Sequence, residues 1–200
     1  MPNNRNTIKI EGLEVGEESR TLIIAEAGIN HQGKVENAIN LIKAAKKSGA
    51  DAVKFQALNP DTMVDKRLLP ETYEIYKKNR ISTEDYKELL RGCISEGILF
   101  ISTVFDEEGA DFLESIGVKS FKVSSYDLTN IPLLIYLAKK GLPIILSTGL
   151  SNMVEVENEN KIYRNSSIVS NFFVNASKQR CKSSKNDVSI CCTSWWINNE

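Results

Sequence analysis

Residues 21–56 read TLIIAEAGINHQGKVENAINLIKAAKKSGADAVKFQ, and this stretch decides the fold class. It opens with a short apolar run over 21–28. Apolar residues then recur at helical spacing over 35–49, a segment that ends in glycine, and a second short run follows at 51–56. A strand, a helix with a glycine stop and another strand at this spacing predict a βαβ unit with parallel strands.

The same alternation continues to residue 150. Several of the apolar runs are hydrophobic along nearly their whole length, as expected of a parallel sheet covered on both faces. We therefore predict an α/β fold of about five strand–helix units, with a long loop between residues 57 and 81. The further predicted helices span 82–97, 106–117 and 130–141, and the further strands span 99–105, 120–127 and 143–150.

The composition limits the possible functions. Of 200 residues, 42% are hydrophobic and the formal net charge is −1, so no basic face for nucleic acid is expected. No run reaches the roughly 18 apolar residues that cross a membrane, and the polar residues 1–20 do not resemble a secretory signal. We expect a cytoplasmic protein without a nucleic-acid or membrane partner.

Residues that could bind a metal ion are few. The four cysteines, at 93, 181, 191 and 192, contain no CxxC pair, which argues against a zinc site. Cys93 lies in a helical pattern and is predicted to be a packed core thiol. His31 is the single histidine, so no metal site is predicted from the residues themselves.

Each of the five predicted strands ends in polar side chains. Ligands of parallel α/β folds bind at the C-terminal ends of the strands, so we expect these side chains to share one site. They are Glu26 in the first strand with Asn30 and His31 after it, Lys54 and Gln56 in the second, Ser102 and Thr103 in the third, Lys122, Ser124 and Ser125 in the fourth, and Ser147 and Thr148 in the fifth.

The lysines and hydroxyls of this set are suited to an anion. Lys54 and Lys122 would supply charge, and the hydroxyls of Thr103, Ser125 and Ser147 would donate hydrogen bonds to a phosphate and a carboxylate. The alternative for each lysine is an ion pair with a nearby acid, since an unpaired buried cation is costly. Two lysines at matching strand ends favour the ligand site.

The remaining polar residues have two interpretations each. Glu26 could satisfy backbone amides, or it could bind sugar hydroxyls or move a proton. Gln56 lies two residues after Lys54 and therefore faces the same side of its strand. His31, within the sequence NHQG, is more typical of a turn residue than of a catalyst.

The chain changes character after about residue 153. The segment 156–200 is rich in Asn and Ser and shows no sustained period of 3.6 or 2. We assign residues 1–155 to one α/β domain and leave 156–200 unassigned.

Five motifs carry a resemblance to a known family. IAEAGINHQG, SGADAVKFQ, FISTVFD, FKVSSYDLTN and PIILSTGLSNM, in this order, resemble the N-terminal half of the sialic acid (N-acetylneuraminate) synthases and of their relatives that make legionaminic and pseudaminic acids. The resemblance covers residues 15–155. It implies a (β/α)8 barrel, here incomplete, and a reaction that condenses phosphoenolpyruvate with an N-acetylated hexosamine, such as N-acetylmannosamine, to give a nonulosonic acid and phosphate.

The resemblance also implies roles for single residues. Lys54, Thr103, Lys122, Ser125 and Ser147 would bind phosphoenolpyruvate. Glu26 and Gln56 would be catalytic and face the sugar or the reacting carbons, while Asn30 and His31 would shape the mouth of the pocket. The run SSYD stands where a Gly-Ser-Gly-Glu type run is common in the family, and Ser125 is its match.

The family resemblance also implies a divalent metal ion and a second copy of the chain. Family members use Mn²⁺ or Mg²⁺, bound by two histidines of later strands, and tend to be homodimers. No histidine follows His31, so these metal ligands are not found here. Five strands cannot close an eight-stranded barrel and would leave open edges.

The segment 156–200 resembles the product of a shifted reading frame, with a divergent segment as the alternative. Three hypotheses for function remain open. The chain is a sialic acid synthase-type enzyme, or a different phosphoenolpyruvate-using aldol synthase. The remaining hypothesis is a non-catalytic remnant, truncated or frameshifted, that binds phosphoenolpyruvate weakly or does not fold.

Overall fold

The computed structural model describes residues 7–16, 19–152, 154–155, 171–178 and 189–196. In chain order its elements are β1 (Thr7–Ile10), β2 (Leu13–Gly16), β3 (Ile23–Gly28), α1 (Val35–Lys47), β4 (Ala52–Gln56), α2 (Pro60–Met63), α3 (Pro70–Asn79), α4 (Thr83–Glu96), β5 (Leu99–Val104), α5 (Glu107–Ser115), β6 (Phe121–Val123), a 3-10 turn (Ser125–Asp127), α6 (Ile131–Lys139), β7 (Ile144–Ser147), β8 (Asn171–Lys178) and β9 (Ser189–Trp196).

Strands β3 to β9 form a closed barrel in sequence order. Neighbouring strands from β3 to β8 are parallel, while β9 runs antiparallel to both β8 and β3. The predicted succession of parallel strands is confirmed over β3–β7, and each predicted helix from 35–49 to 130–141 is present within two residues or so at either end.

The helices begin where the sequence provides caps. The Ser82 hydroxyl accepts a hydrogen bond from the Asp85 amide at 3.2 Å, and the Asp106 carboxylate accepts one from the Gly109 amide at 2.6 Å. The helices cover the outside of the barrel, where outward-facing strand residues such as Phe55 and Phe121 pack against Leu89 and other helix residues. No helix of the described residues is long and apolar enough to cross a membrane.

A second apolar cluster fills the lower, N-terminal half of the barrel interior. Inward-facing residues of four strands meet there with the β1–β2 hairpin, which was not predicted from the sequence. This cluster, called the floor cluster below, comprises Ile10, Val15, Leu22, Ile24, Ala52, Ile101 and Ile145. Because these side chains are almost completely buried, the floor closes the lower half of the interior.

The segment 57–81 contains two helices, so the prediction of a loop was wrong. Both α2 and α3 carry proline in their first turn, a position where its missing N–H costs nothing. No residue of α3 is buried. A helix without an apolar stripe gives no periodic signal, which explains why the sequence did not reveal it.

The segment left unassigned in the sequence contributes the two strands β8 and β9. They pair with β7 and β3, so the open edges expected of five strands are not found in the described barrel. An unpaired edge exposes a row of backbone donors and acceptors that readily accepts another strand. The division at residue 155 stays a prediction, and most of the rest of this segment, including Cys181, lies outside the described residues.

Cys93 is a core residue, as predicted. Its side chain is 1% exposed and belongs to the cluster between barrel and helices. Burial raises the pKa of the thiol to about 12, which leaves it protonated at neutral pH.

Candidate functional site

A cavity of about 350 Å³ lies at the C-terminal ends of strands β3–β7. Its volume falls at the lower end of the range for small-molecule sites, roughly 300–1,000 Å³. The lining residues are Ile24, Glu26, Lys54, Gln56, Tyr76, Thr103, Phe105, Lys122, Ser124, Ser125, Tyr126, Ile145 and Ser147. All seven residues predicted to be catalytic or to bind phosphoenolpyruvate are therefore brought together.

Strand alternation decides which side chains reach this cavity. Glu26 and Lys54 are register partners on β3 and β4, and Thr103 pairs with Gln56 on one side and Lys122 on the other. Ser102, one residue before Thr103, faces outward, and its hydroxyl lies 3.3 Å from the Tyr86 hydroxyl. The period of two thus separates a cavity residue from a structural one.

The Lys54 ammonium is held by two oxygen atoms. Its Nζ lies 2.7 Å from Oε2 of Glu26 and donates a hydrogen bond to Oγ1 of Thr103 at 3.1 Å. The lysine side chain is 11% exposed, whereas that of Glu26 is 33% exposed. Lys54 thus forms an ion pair with an acid, and it also lines the cavity. The structure is therefore compatible with both alternatives for this lysine, the ion pair and the ligand site.

Glu26 keeps one oxygen uncommitted. Its Oε1 is buried and has no hydrogen-bond partner among the described residues. Gly28, with φ +53°, lies beside it, and a Cβ there would sit 3.3 Å from Oε1. The absent side chain keeps that space open, so Oε1 can accept a hydrogen bond or a proton from a ligand.

Lys122 forms the second cationic point. Its Nζ donates to the Ser147 hydroxyl at 2.5 Å and to the backbone carbonyl of Val123. Asp127 lies nearby, where burial raises the pKa of its carboxyl; a hydrogen bond from Asn130 and the charge of Lys122 partly offset that rise. The cavity therefore holds two ammonium groups on opposite sides of Thr103.

The structure places Asn30 and His31 differently from the rest of the predicted set. Neither lines the cavity. Asn30 is exposed, and His31 is 1% exposed with its ring 6.0 Å from that of Phe55. Burial lowers the pKa of His31 to about 4, and its Nδ1 accepts a hydrogen bond from the Gly33 amide at 3.0 Å. A role for either residue at the mouth of the pocket stays a prediction.

Three aromatic residues of the cavity were not assigned to the site from the sequence. Phe105 follows directly after β5, and Tyr126 stands in the SSYD run, so both had a visible connection to a strand end. Tyr76 comes from α3, which shows no burial pattern, and no local signal could have placed it there.

The lining residues do not fit a divalent metal ion. Mg²⁺ and Mn²⁺ favour several carboxylate, carbonyl or water oxygens. Of the residues that line the cavity only Glu26 carries a carboxylate, and it is paired with Lys54. Across the described part of the chain, no three His, Cys, Asp or Glu side chains come together in a group that could hold a metal.

Comparison with known proteins agrees with the barrel fold. The NeuB family matches residues 41–194, most of the chain, so the protein belongs to the NeuB family. That match extends past residue 155, where the resemblance was expected to end. The chain is 45% identical over 169 residues to N,N'-diacetyllegionaminic acid synthase of Legionella pneumophila, covering 78% of this chain and 47% of the relative.

More distant relatives point to the same group. The chain is 36% identical over 153 residues to human N-acetylneuraminate-9-phosphate synthase, covering 71% of this chain and 43% of the relative. The crystal structure of N-acetylneuraminic acid (sialic acid) synthetase from Leptospira borgpetersenii, in complex with citrate, superposes with a TM-score of 0.73 at 32% identity, covering 81% of this chain and 56% of that one. The chain spans about half the length of the curated relatives it matches.

Proposed function

We propose that the cavity binds phosphoenolpyruvate and that the chain acts as a nonulosonic acid synthase, condensing this substrate with an N-acetylated hexosamine and releasing phosphate. The observation that carries the proposal is the convergence of Lys54 and Lys122 with the hydroxyls of Thr103 and Ser147 in one cavity of a NeuB-family barrel.

The charges of the cavity suit this substrate. Glu26 contributes −1 and the two lysines +2, which leaves a net charge of +1 from these three lining residues. Phosphoenolpyruvate carries a carboxylate and a phosphate on adjacent atoms of a three-carbon frame. Two ammonium groups separated by hydroxyl donors can bind both ends, and such charge-assisted hydrogen bonds are about twice as strong as neutral ones.

Glu26 and Gln56 are the proposed catalytic pair. Both line the cavity, and a Cβ built on Gly28 would approach Glu26 Oε1 and Gln56 Nε2 together, at 3.3 and 3.7 Å, so the two side chains border the same space. The uncommitted Glu26 oxygen can accept a proton or a hydroxyl hydrogen from the acceptor, and the Gln56 amide can orient it. Because the lining residues do not fit a divalent ion, no step is assigned to one.

Calorimetric titration with phosphoenolpyruvate, followed by a phosphate-release assay with N-acetylmannosamine and with 2,4-diacetamido sugars, tests the proposal. We expect saturable binding that is much tighter than that of pyruvate or inorganic phosphate alone, and phosphate release only when an acceptor is present. A folded protein that fails to bind phosphoenolpyruvate would refute the assignment of the cavity.

A second candidate function is binding without condensation. The mismatch between the cavity and a divalent ion favours it, since the family reaction is expected to use such an ion to polarise the aldehyde. Saturable phosphoenolpyruvate binding with no phosphate release on any acceptor, with Mn²⁺ or Mg²⁺ supplied, would select this alternative.

A further inference from the structure

The cavity is divided into a polar depth and an aromatic mouth. Lys54 and Thr103 are 9% and 3% exposed, so the anion-binding groups lie deep. Tyr126 lines the same cavity although it is 81% exposed, which places it at the opening. Tyr76 is partly buried and reaches the cavity from α3. A ligand that fills the depth therefore leaves an aromatic surface above it.

The core does not hold α3 in this position. The helix buries no residue, and Ile75 beside Tyr76 is 52% exposed. The C-terminal end of α3 instead rests on the turn after β3. Gly33 has φ +72°, and a Cβ at this residue would collide with the backbone carbonyl of Lys78. Only glycine at residue 33 allows the Lys78 carbonyl to come this close, so the turn supports the C-terminal end of α3.

The turn itself is fixed by His31. The imidazole Nδ1 accepts the Gly33 amide hydrogen, and the His31 carbonyl accepts hydrogen bonds from the Lys34 amide and the Asn37 side chain. The ring is anchored in the core against Phe55. A continuous series of contacts thus joins β4, the histidine turn and α3.

We propose that Tyr76, together with Tyr126, forms the subsite for the acceptor sugar, and that the turn His31–Gly33 positions α3 so that Tyr76 covers the cavity. This inference rests on the proposed function, because it requires phosphoenolpyruvate in the depth of the cavity. Tyr76 contacts the substrate, whereas His31 and Gly33 are positioning residues.

The chemistry of the acceptor matches such a mouth. A sugar presents an apolar C–H face as well as hydroxyls, and an N-acyl group adds a methyl. Tyrosine offers a flat apolar ring with a polar tip and loses little conformational entropy when it binds. Two tyrosines can therefore hold an acylated sugar above the anion without contributing charge.

Saturation-transfer NMR on the acetyl methyl of the methyl glycoside of N-acetylmannosamine, with phosphoenolpyruvate-saturated protein, tests the inference, because this glycoside has no free aldehyde and cannot condense. Tyr76→Ala is expected to reduce the transfer at least fivefold, and Tyr76→Phe to retain most of it because the ring is kept. Ile75→Ala, on the same helix but exposed, is the matched control and should change nothing. Phosphoenolpyruvate affinity should stay within twofold in all three variants.

The role of the turn is tested with Gly33→Ala. The added methyl pushes α3 away from the turn, so the acetyl signal should fall as in Tyr76→Ala while phosphoenolpyruvate still binds. An unchanged acetyl signal in Tyr76→Ala, or no transfer in the phosphoenolpyruvate-loaded wild type, would overturn the acceptor subsite. Failure of phosphoenolpyruvate itself to bind would instead reject the proposed function, so the two failures are distinct.

Discussion

The lower and upper halves of the barrel interior are built by the same strands, one inward position apart, and their chemistry is opposite. Ile24, Ala52 and Ile101 lie in the floor cluster. Two residues further along the same strands, Glu26, Lys54 and Thr103 line the cavity. A shift of about 7 Å along each strand therefore separates the apolar residues that stabilise the barrel from the polar residues of the cavity.

The difference shows how this fold divides stability from function. Burial of apolar side chains in the floor stabilises the folded chain by roughly 1.5–3 kcal/mol per large residue. Burial of lysines in the upper half is costly unless oxygen atoms surround them. We therefore expect substitution of floor residues that do not line the cavity, such as Ile101, to change stability without changing affinity, and substitution of the polar cavity residues to change affinity more than stability.

The largest effect is expected in the floor. Ile101 is fully buried, so Ile101→Ala should lower the free energy of unfolding by about 2–5 kcal/mol through lost contacts and a cavity. Urea unfolding followed by circular dichroism measures it, with Ile94→Ala, which truncates a 69% exposed side chain, as the control. If both variants lost the same free energy of unfolding, Ile101 in the floor would contribute no more to stability than an exposed residue does.

The next effect concerns affinity. Lys122→Met keeps most of the length of the side chain and removes its charge, so phosphoenolpyruvate should bind about 100-fold more weakly, which corresponds to about 2.7 kcal/mol. The free energy of unfolding should change by less than this, because the lost hydrogen bonds to Ser147 and the Val123 carbonyl are offset by the removal of a desolvated ammonium. Calorimetry and urea unfolding give both values. Lys119→Met, at an exposed position, should alter neither.

The Glu26–Lys54 ion pair tests whether the two halves are fully separate. Lys54→Met leaves the carboxylate without its cation and should lower stability by about 1–2 kcal/mol, less than for a fully buried pair since Glu26 is one-third exposed. The double variant with Glu26→Gln should recover most of this loss. A double-mutant cycle measures the coupling; a value near zero would mean that the pair adds nothing to the fold.

The smallest effect is expected for a hydroxyl. Ser147→Ala removes one contact of Lys122 and should weaken phosphoenolpyruvate binding about fivefold, in line with about 1 kcal/mol per hydrogen bond. Ser115→Ala, on an exposed helix position, is the control. A loss of phosphoenolpyruvate affinity as large as that of Lys122→Met would contradict the expectation that Ser147 contributes one neutral hydrogen bond.

Local sequence was sufficient to predict strands β3–β7 and the seven residues on or next to them that were assigned to phosphoenolpyruvate binding or catalysis and that line the cavity. Apolar runs, caps such as Ser82 and glycine stops are local signals, and the rule for parallel strands places their C-terminal ends together. The period of two also distinguishes Thr103 from Ser102 once the inward face is known. The convergence of Lys54, Lys122 and Ser147 in one cavity followed from these signals alone.

The parts that were missed depend on contacts between distant segments. The aromatic mouth needs α3, whose position is set by the approach of Gly33 to the Lys78 carbonyl rather than by an apolar stripe. Strands β8 and β9 are defined by pairing with β7 and β3, and their own sequences show no sustained alternation. Neither feature can be seen in a window of neighbouring residues.

The buried thiol of Cys93 has one more consequence. A thiol with a pKa of about 12 is ionised in only roughly one molecule in ten thousand at pH 8, and its atoms are shielded between α4 and the barrel. Alkylation of Cys93 is therefore expected to be slow in the folded chain and to become faster when α4 separates from the sheet. The rate of labelling at Cys93, followed by peptide mass spectrometry, therefore reports how often α4 separates from the barrel, and no added probe is needed.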